Sequence, residues 1–311
     1  MLAIVLALAS AIGYGGSDFA AGLATRSGSV VPVTLLVSLV SAVIVAAALP
    51  FAATPAPSAA ALAWGFAAGF GDTLGAFALF LGFRHAAFSV AGPLSAVGAA
   101  GFSVLAGLLL GERPNDLALA GIVLALPAIV AVSASAAAAD DTVASAAAAG
   151  DTVASAAAAG DTPGREDGAG GRPAAGVVLG LVAGACFALL FIGLDRAGSH
   201  SGLWPVAAAT AGELVAALGA VLVTRSLRLP GTRPRLLAAL AGAIGSAATI
   251  LFFFATHQGF LAVTAVLTSL YPAVTILLAR VLLGERLTGL RLGGLVLAGA
   301  CVALIALGGA S

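Results

Sequence analysis

The chain has 311 residues, of which 61% are hydrophobic and 8% are charged, and its mean hydropathy is +1.15. Soluble domains carry charge on about a quarter of their residues, so this composition excludes an ordinary water-soluble protein and indicates a polytopic membrane protein in a lipid bilayer. A formal net charge of zero argues against nucleic acid as a partner. The two cysteines, Cys186 and Cys301, lie inside apolar runs and offer neither a disulfide framework nor a metal site.

Ten apolar stretches have the length of about 20 residues that a helix needs to cross a bilayer. They are predicted at residues 2–24, 31–50, 59–83, 87–110, 116–135, 175–196, 203–224, 235–256, 261–283 and 289–309. Lipid cannot satisfy the backbone of an open sheet, and the stretches lack the alternation of barrel strands. The predicted fold class is therefore all-α, with ten transmembrane helices.

A low-complexity segment at residues 136–173 separates the first five helices from the last five. The ten residues DTVASAAAAG at 141–150 recur unchanged at 151–160, and the segment has no apolar face to bury. This composition is typical of a linker. The chain is therefore predicted to consist of a first five-helix repeat (1–135), the linker and a second five-helix repeat (174–311).

A short phrase recurs in the two halves, as LLLGERPNDL at 108–117 and VLLGERLTGL at 281–290, with its glycines 173 positions apart (284 minus 111). Each copy ends the fourth helix of its half, which indicates an internal duplication. An odd number of helices in each half makes the second enter the membrane from the opposite side, so the repeats are predicted to be inverted, as in many secondary transporters.

The phrase itself is interpreted as a helix-end motif. Gly111 and Gly284 suit a helix C-terminus at which φ is positive, and Arg113 and Arg286 can reach the last carbonyl groups. Glu112 and Glu285 then belong at interface depth. A role in the helix end and loop is favoured for both glutamates over contact with a substrate.

These motifs resemble those of EamA-type transporters of the drug/metabolite transporter superfamily. The resemblance rests on two five-helix repeats, on the LLGER phrase after each fourth helix, and on third helices ending in FRHA at 83–86 and THQG at 256–259. It implies a secondary carrier of small metabolites, such as an exporter of amino acids or related compounds. It implies no cofactor, and the chain has no phosphate-binding G-x-x-x-x-G-K-[ST] loop.

Polar residues far from the helix ends are the candidates for a substrate or proton site. Asp72 and Glu213 lie near the centres of spans 3 and 7, where a carboxylate costs about 2.5–3.5 kcal/mol on insertion scales. Asp18 lies about five residues from the middle of span 1, on one face with Tyr14, and Tyr271 interrupts span 9. We expect Asp72 and Glu213 to bind a proton or a cationic group, with the other three as supporting polar groups. The alternative for each acid is a hydrogen bond that serves packing.

Two prolines are predicted to kink helices near this site. Pro93 lies in span 4 and Pro272 in span 9, and a kink either frees carbonyl groups for a cavity or serves packing alone. In span 6, Gly176, Gly180 and Gly184 form a ridge of small residues that suits close helix packing or a homodimer.

The sequence thus predicts a multi-pass transporter in a bacterial cytoplasmic membrane, either proton-coupled or facilitative. A scaffold or sensor without flux and a lipid-linked-sugar flippase are the alternatives, although an acidic midplane argues against the flippase. Orientation stays open. Arginines lie mainly in the odd-numbered breaks, with Arg113 and Arg196 in the even ones, which places both termini outside by the positive-inside rule. The family resemblance implies cytoplasmic termini.

Overall fold

The computed structural model describes residues 1–25, 29–52, 57–85, 88–131, 173–225, 230–283 and 289–308, and this part of the chain is all-α. Residues 132–172 lie outside the described residues, and they include all of the predicted linker (136–173) except Pro173. Gly284, Glu285 and Arg286 lie outside the described residues as well. The helices are α1 (Leu2–Thr25), α2 (Val30–Ala48), α3 (Ala59–His85), α4 (Phe88–Leu109), α5 (Asp116–Ala131), α6 (Pro173–Arg196), α7 (Trp204–Thr224), α8 (Thr232–Thr256), α9 (Leu261–Thr268), α10 (Tyr271–Leu283) and α11 (Gly289–Gly308).

Six segments within the described residues are long and apolar enough to cross a bilayer. They contain α1, α2, α6, α7, α8 and the pair α9–α10, while shorter apolar helices lie at Leu94–Leu109, Asp116–Ala131 and Leu292–Gly308. Helices predominate because each helical segment pairs its backbone N–H and C=O groups internally, which lipid requires.

The ninth predicted span is two helices rather than one. The α-helix stops at Thr268 and resumes at Tyr271, with Ser269 and Leu270 in a turn between them. Pro272 lacks the N–H that would bond the carbonyl of Thr268, so the interruption follows from the proline. The fourth span behaves differently, because α4 continues through Pro93 without a break.

The long helices pack as two bundles, and each bundle combines helices from both halves of the chain. The first bundle consists of α1, α2, α8 and α9–α10, in which α1 contacts α8, α9 and α10, and α2 contacts α8. In the second bundle, α6 contacts α3 and α4, and α7 contacts α3. The bundles meet where α2 contacts α7 and where α4 contacts α9. The site described below lies between them.

Glycines allow the helices within each bundle to approach closely. A Cβ at Gly69 would collide with the carbonyl oxygen of Ala209 across the α3–α7 contact, and a Cβ at Gly242 would lie 2.6 Å from the carbonyl oxygen of Val37 across the α2–α8 contact. In the predicted glycine ridge, Gly184 packs against α4, where its added Cβ would lie 2.9 Å from the Cα of Gly98. Small residues are the usual means of helix association in membranes.

The helix ends define two faces of the protein. At the terminal face, where α1 begins and α11 ends, Gly259 contacts Ala3 and the Asn115 side-chain amide donates to the carbonyl of Gly308 over 2.6 Å. At the opposite face, α5 ends and α6 begins, and we call it the linker face. There Ala24 of α1, Val33 of α2 and Ala238 of α8 form a small buried cluster.

Replacement of Gly69 tests the close α3–α7 contact. We expect Gly69→Ala to destabilise the fold by about 1–3 kcal/mol, because the new methyl group meets backbone atoms that have little freedom to move. Thermal unfolding in detergent measures the effect. Gly101→Ala is the matched control, since nothing lies within 4 Å of a Cβ at that position. An equal loss of stability in both variants would contradict the packing argument.

Candidate functional site

The structure brings the five predicted site residues together between the two bundles. Tyr14 and Asp18 lie on α1 and Tyr271 on α10 of the first bundle, while Asp72 lies on α3 and Glu213 on α7 of the second. Asp72 interacts electrostatically with each of the other four side chains. Residues about 50 to 200 positions apart in the sequence therefore form one polar cluster, which we call the central cluster.

The side chains of the central cluster are not fully buried. Asp18 is exposed, and Tyr14, Asp72, Glu213 and Tyr271 are half-buried. Four of these residues lie well inside long helices, whereas Tyr271 begins α10 at the break in span 9. Carboxyl groups at this depth require polar partners, because lipid alone would leave them without hydrogen bonds.

The charged groups of the central cluster are all acidic. Three carboxyl groups, those of Asp18, Asp72 and Glu213, interact with one another or with the two phenols. Within the described part of the chain, no arginine or histidine interacts with any of the three. Such an arrangement attracts protons or a cationic group and disfavours an anion.

Helix packing positions the two central acids. Gly212, next to Glu213 on α7, lies so close to α3 that an added Cβ would collide with the carbonyl oxygen of Phe66. On the other side of α3, a Cβ at Gly71 would lie 2.8 Å from the Leu189 side chain of α6. Asp72 is thus held on a helix that is wedged between two neighbours, and its backbone has little freedom to shift.

On the first bundle, α1 is tied to its neighbours by hydrogen bonds on both sides of Tyr14. The hydroxyl groups of Tyr14 and Thr249 are 2.9 Å apart, Ser10 donates to the carbonyl of Ala248 over 2.8 Å, and Ser17 donates to the carbonyl of Ala241 over 2.9 Å. These bonds fix the rotation of α1 against α8.

The break between α9 and α10 places Tyr271 at the central cluster. Thr275 on α10 donates to the carbonyl of Gly15 over 3.1 Å and to that of Tyr271 over 3.3 Å. A Cβ at Gly15 would lie 2.6 Å from the Tyr271 carbonyl, so only a glycine allows α1 to approach the start of α10 this closely. The helix break and this glycine together bring the Tyr271 backbone against α1.

Sequence reasoning missed two side chains of this site. Thr249 bonds Tyr14, and the half-buried Cys186 of α6 interacts electrostatically with Asp72. Thr249 carries no sequence signal that separates it from other threonines in apolar helices. Cys186 is one of two cysteines, but its neighbours are set by the packing of α6 against α3.

The helix-end motif of the first half contacts the second half. Gly111 has a φ of +92°, a conformation suited to glycine, and it turns the chain so that Glu112 reaches the start of α9. The Glu112 carboxylate accepts hydrogen bonds from the backbone N–H of Leu261 at 2.5 Å and of Ala262 at 2.9 Å. Arg113 is exposed and makes no hydrogen bond to a described residue.

Glu112 has a defined electrostatic environment. Burial raises the pKa of Glu112, and the nearby Asp195 carboxylate acts in the same direction, whereas the two N–H donors act in the opposite one. The bonds to Leu261 and Ala262 satisfy the first N–H groups of α9, which have no partner inside their own helix. The glutamate therefore serves a helix end, and that helix belongs to the other half of the chain.

Buried apolar packing joins the two bundles toward the terminal face. Val45 and Phe252 of the first bundle pack there among Leu194, Leu203 and Val206 of the second. A second buried cluster joins α4 to α1 and α9, through residues such as Ala96 and Ala7. The clusters around Ala24 and around Ala273, nearer the linker face, contain no residue of the second bundle.

Comparison with known proteins identifies the second half of the chain. The sequence profile of the EamA-like transporter family matches residues 174–307. These residues form an EamA-like transporter domain. A solved crystal structure with 18% sequence identity matches with a TM-score of 0.69 and covers 96% of this chain and 98% of that chain, which shows a common fold across both halves. A comparison with curated proteins gives no match.

The EamA-like domain confirms the family resemblance predicted from the sequence. The described residues include six segments long and apolar enough to cross a membrane, and the domain at residues 174–307 matches a transporter family.

A double-mutant cycle tests the link between Tyr14 and α8. We expect Tyr14→Phe to destabilise the fold by about 1 kcal/mol, the net value of one hydrogen bond. Thr249→Val should cost at least as much, because its hydroxyl group also donates to the carbonyl of Gly245. Because both remove the same bond, the double variant should lose less stability than the two single losses combined. Chemical unfolding in detergent measures all four proteins. Strict additivity would show that the two hydroxyl groups do not interact.

Proposed function

We propose that this protein is a secondary transporter of a small organic metabolite that works by alternating access between two inverted five-helix repeats in a bacterial cytoplasmic membrane. Asp72 and Glu213 bind a proton or a cationic group of the substrate, such as the amino group of an amino-acid-like solute. Tyr14, Asp18 and Tyr271 complete the site. The observation that carries the proposal is the central cluster, to which both bundles contribute acidic side chains. No arginine or histidine of the described residues interacts with these acids.

The helix positions support the inverted repeat. Helices α3, α4 and α5 begin at residues 59, 88 and 116, and α8, α9 and α11 begin at 232, 261 and 289, which is the same offset of 173 that separates the two LLGER phrases. The contacts match as well, since α6 packs on α3 and α4 as α1 packs on α8 and α9–α10. Five helices in each repeat require the second to be inverted relative to the first.

The arrangement of the bundles supports alternating access. Each bundle contains helices of both repeats, and the acids face one another across the boundary between bundles. A rocking motion at this boundary would expose the central cluster to one face and then to the other, while the helices inside each bundle keep their contacts. The buried packing between the bundles at the terminal face supports a state of this cycle in which that face is closed.

The charge of the central cluster supports a substrate or coupling ion that is positive. A carboxylate in a space of low polarity becomes stable by binding a proton or a cation. Three carboxyl groups within interaction distance strengthen this requirement, because neighbouring negative charges repel one another. Tyr14 and Tyr271 add phenol rings, which can hold an organic cation through their faces.

Transport in proteoliposomes tests the proposal. A pH-sensitive dye inside the vesicles reports proton movement while amino acids, nucleosides and organic cations are added in turn. We expect one class of solute to move protons with the native protein. Asp72→Asn and Glu213→Gln should each lower the rate about tenfold or more, since a charge-assisted interaction contributes about 1.5–3 kcal/mol. Protein abundance should stay unchanged.

Asp116→Asn is the matched control, because Asp116 is an exposed carboxylate at the terminal face. Transport by this variant should equal that of the native protein. If a labelled solute equilibrates without proton movement, the protein is a facilitator and the proton assignment is wrong. If no solute moves at all, and the acid variants lower only abundance, a scaffold or sensor without flux replaces the transporter.

A further inference from the structure

Two hydrogen-bonded contacts join the bundles at the terminal face. In the first, Glu112 at the end of α4 binds the N–H groups of Leu261 and Ala262 at the start of α9. In the second, the hydroxyl group of Thr256 at the end of α8 donates to Asp195 near the end of α6 over 2.6 Å. Each contact pairs a carboxylate of the second bundle with a backbone or hydroxyl donor of the first.

The other long-range bonds of the central helices have a different distribution. Ser10, Ser17 and Ser41 donate to backbone carbonyls of α8, and all of these groups belong to the first bundle. A relative motion of the bundles would leave those three bonds intact. The same motion would break the bonds of Glu112 and of Thr256, because their partners lie on opposite sides of the boundary.

The two contacts are adjacent, and their chemistry suits a reversible closure. Glu112 and Asp195 interact electrostatically, and both are half-buried beside apolar side chains such as Leu194 and Leu261, which are fully buried. Hydrogen bonds to a carboxylate are strong, but water replaces them when the contact opens, so their net value is modest. Repulsion between the two carboxylates lowers the combined strength of the closure further.

We propose that Glu112 and Asp195 are gate residues, which hold the terminal face closed by binding Leu261, Ala262 and Thr256 and release these partners together when the central cluster opens to that face. This assignment gives the first LLGER motif a role in the transport cycle. That role rests on the proposed function. The carboxylate of Glu112 is not a substrate ligand. It determines which face the substrate can reach.

A cysteine beneath the gate reports its opening without any transport assay. Ala265 of α9 is fully buried and packs in the cluster that closes the terminal face, four residues after the Glu112 partner Leu261. Ala265→Cys is introduced after replacement of Cys186 by Ser and Cys301 by Ala. The protein is placed in lipid nanodiscs, which leave both faces accessible, and its reaction rate with a membrane-impermeant maleimide is measured.

We expect Glu112→Gln and Thr256→Val to raise this labelling rate about tenfold or more. The amide of Gln places a donor against the α9 N–H groups, and Val keeps the shape of Thr but removes its hydroxyl group. The matched controls are Asp116→Asn, an exposed acid of the same face, and Thr264→Val, whose hydroxyl group bonds only carbonyls at the start of its own helix among the described residues. Both should label as slowly as the parent.

The outcomes separate the gate from the transport function. Unchanged labelling in both gate variants, or an equal rise in Thr264→Val, overturns the gate. If Glu112→Gln does not yield folded protein, as judged by size-exclusion chromatography, Thr256→Val alone decides the result. A raised rate in a protein that moves no solute in proteoliposomes would support the gate and reject the transporter. Slow labelling of both gate variants in a protein that transports solute would reject the gate and support the transporter.

Discussion

Carboxyl groups in the middle of a membrane protein constrain the rest of this structure. A carboxylate at the centre of a bilayer is stable only beside water, a proton or a cation. Asp72 and Glu213 lie on neighbouring helices of one bundle and face Tyr14, Asp18 and Tyr271 on the other. These polar side chains lie together where the two bundles meet, and close helix contacts within each bundle position them.

Glycine supplies that close packing. Across the α3–α7 and α2–α8 contacts, Gly69 and Gly242 bring backbones so near that a methyl group would not fit. Dispersion contacts between closely apposed helices replace the hydrophobic effect, which does not drive association within lipid. Each bundle is thus made from helices of both halves of the chain, and the boundary between the bundles does not coincide with the boundary between the halves.

The boundary is closed at one face by a combination of apolar packing and hydrogen bonds to carboxylates. Val45, Leu203 and Val206 form part of the apolar closure, and Glu112 and Asp195 provide the polar one. The break before Tyr271 lies directly beyond this closure, at the level of the central cluster. A helix interrupted there can change the direction of its second part while the first part stays in place. Site, helix break and closure therefore occupy successive levels along one boundary.

The sequence alone predicted an all-α chain and most of the helix bounds, because a stretch of about 20 apolar residues has few alternatives to a helix in lipid. Within the described residues, six of the predicted spans are long and apolar enough to cross a bilayer, and three others contain shorter apolar helices. A phrase repeated at a constant offset indicated a resemblance to EamA-type transporters, and the family match over residues 174–307 agrees with it. Asp72 and Glu213 were predicted as site residues because acids are rare inside apolar runs, and the structure brings them together. Proline was expected to disturb spans 4 and 9. Span 9 is interrupted just before Pro272, whereas α4 continues through Pro93. A proline removes one hydrogen bond in either case, and the surrounding packing decides whether the helix breaks.

Only the tertiary structure decided which residues meet. Thr249 reaches Tyr14, Thr256 reaches Asp195, and Glu112 binds α9 across 149 and 150 positions of sequence. The sequence predicted that Glu112 serves the end of its own helix, α4. The structure shows that its carboxylate caps the start of a different helix, α9. Periodicity and composition determine what a segment becomes in lipid, since that depends on the segment itself. The partner of a side chain depends on how two bundles fit together, and no single segment contains that information.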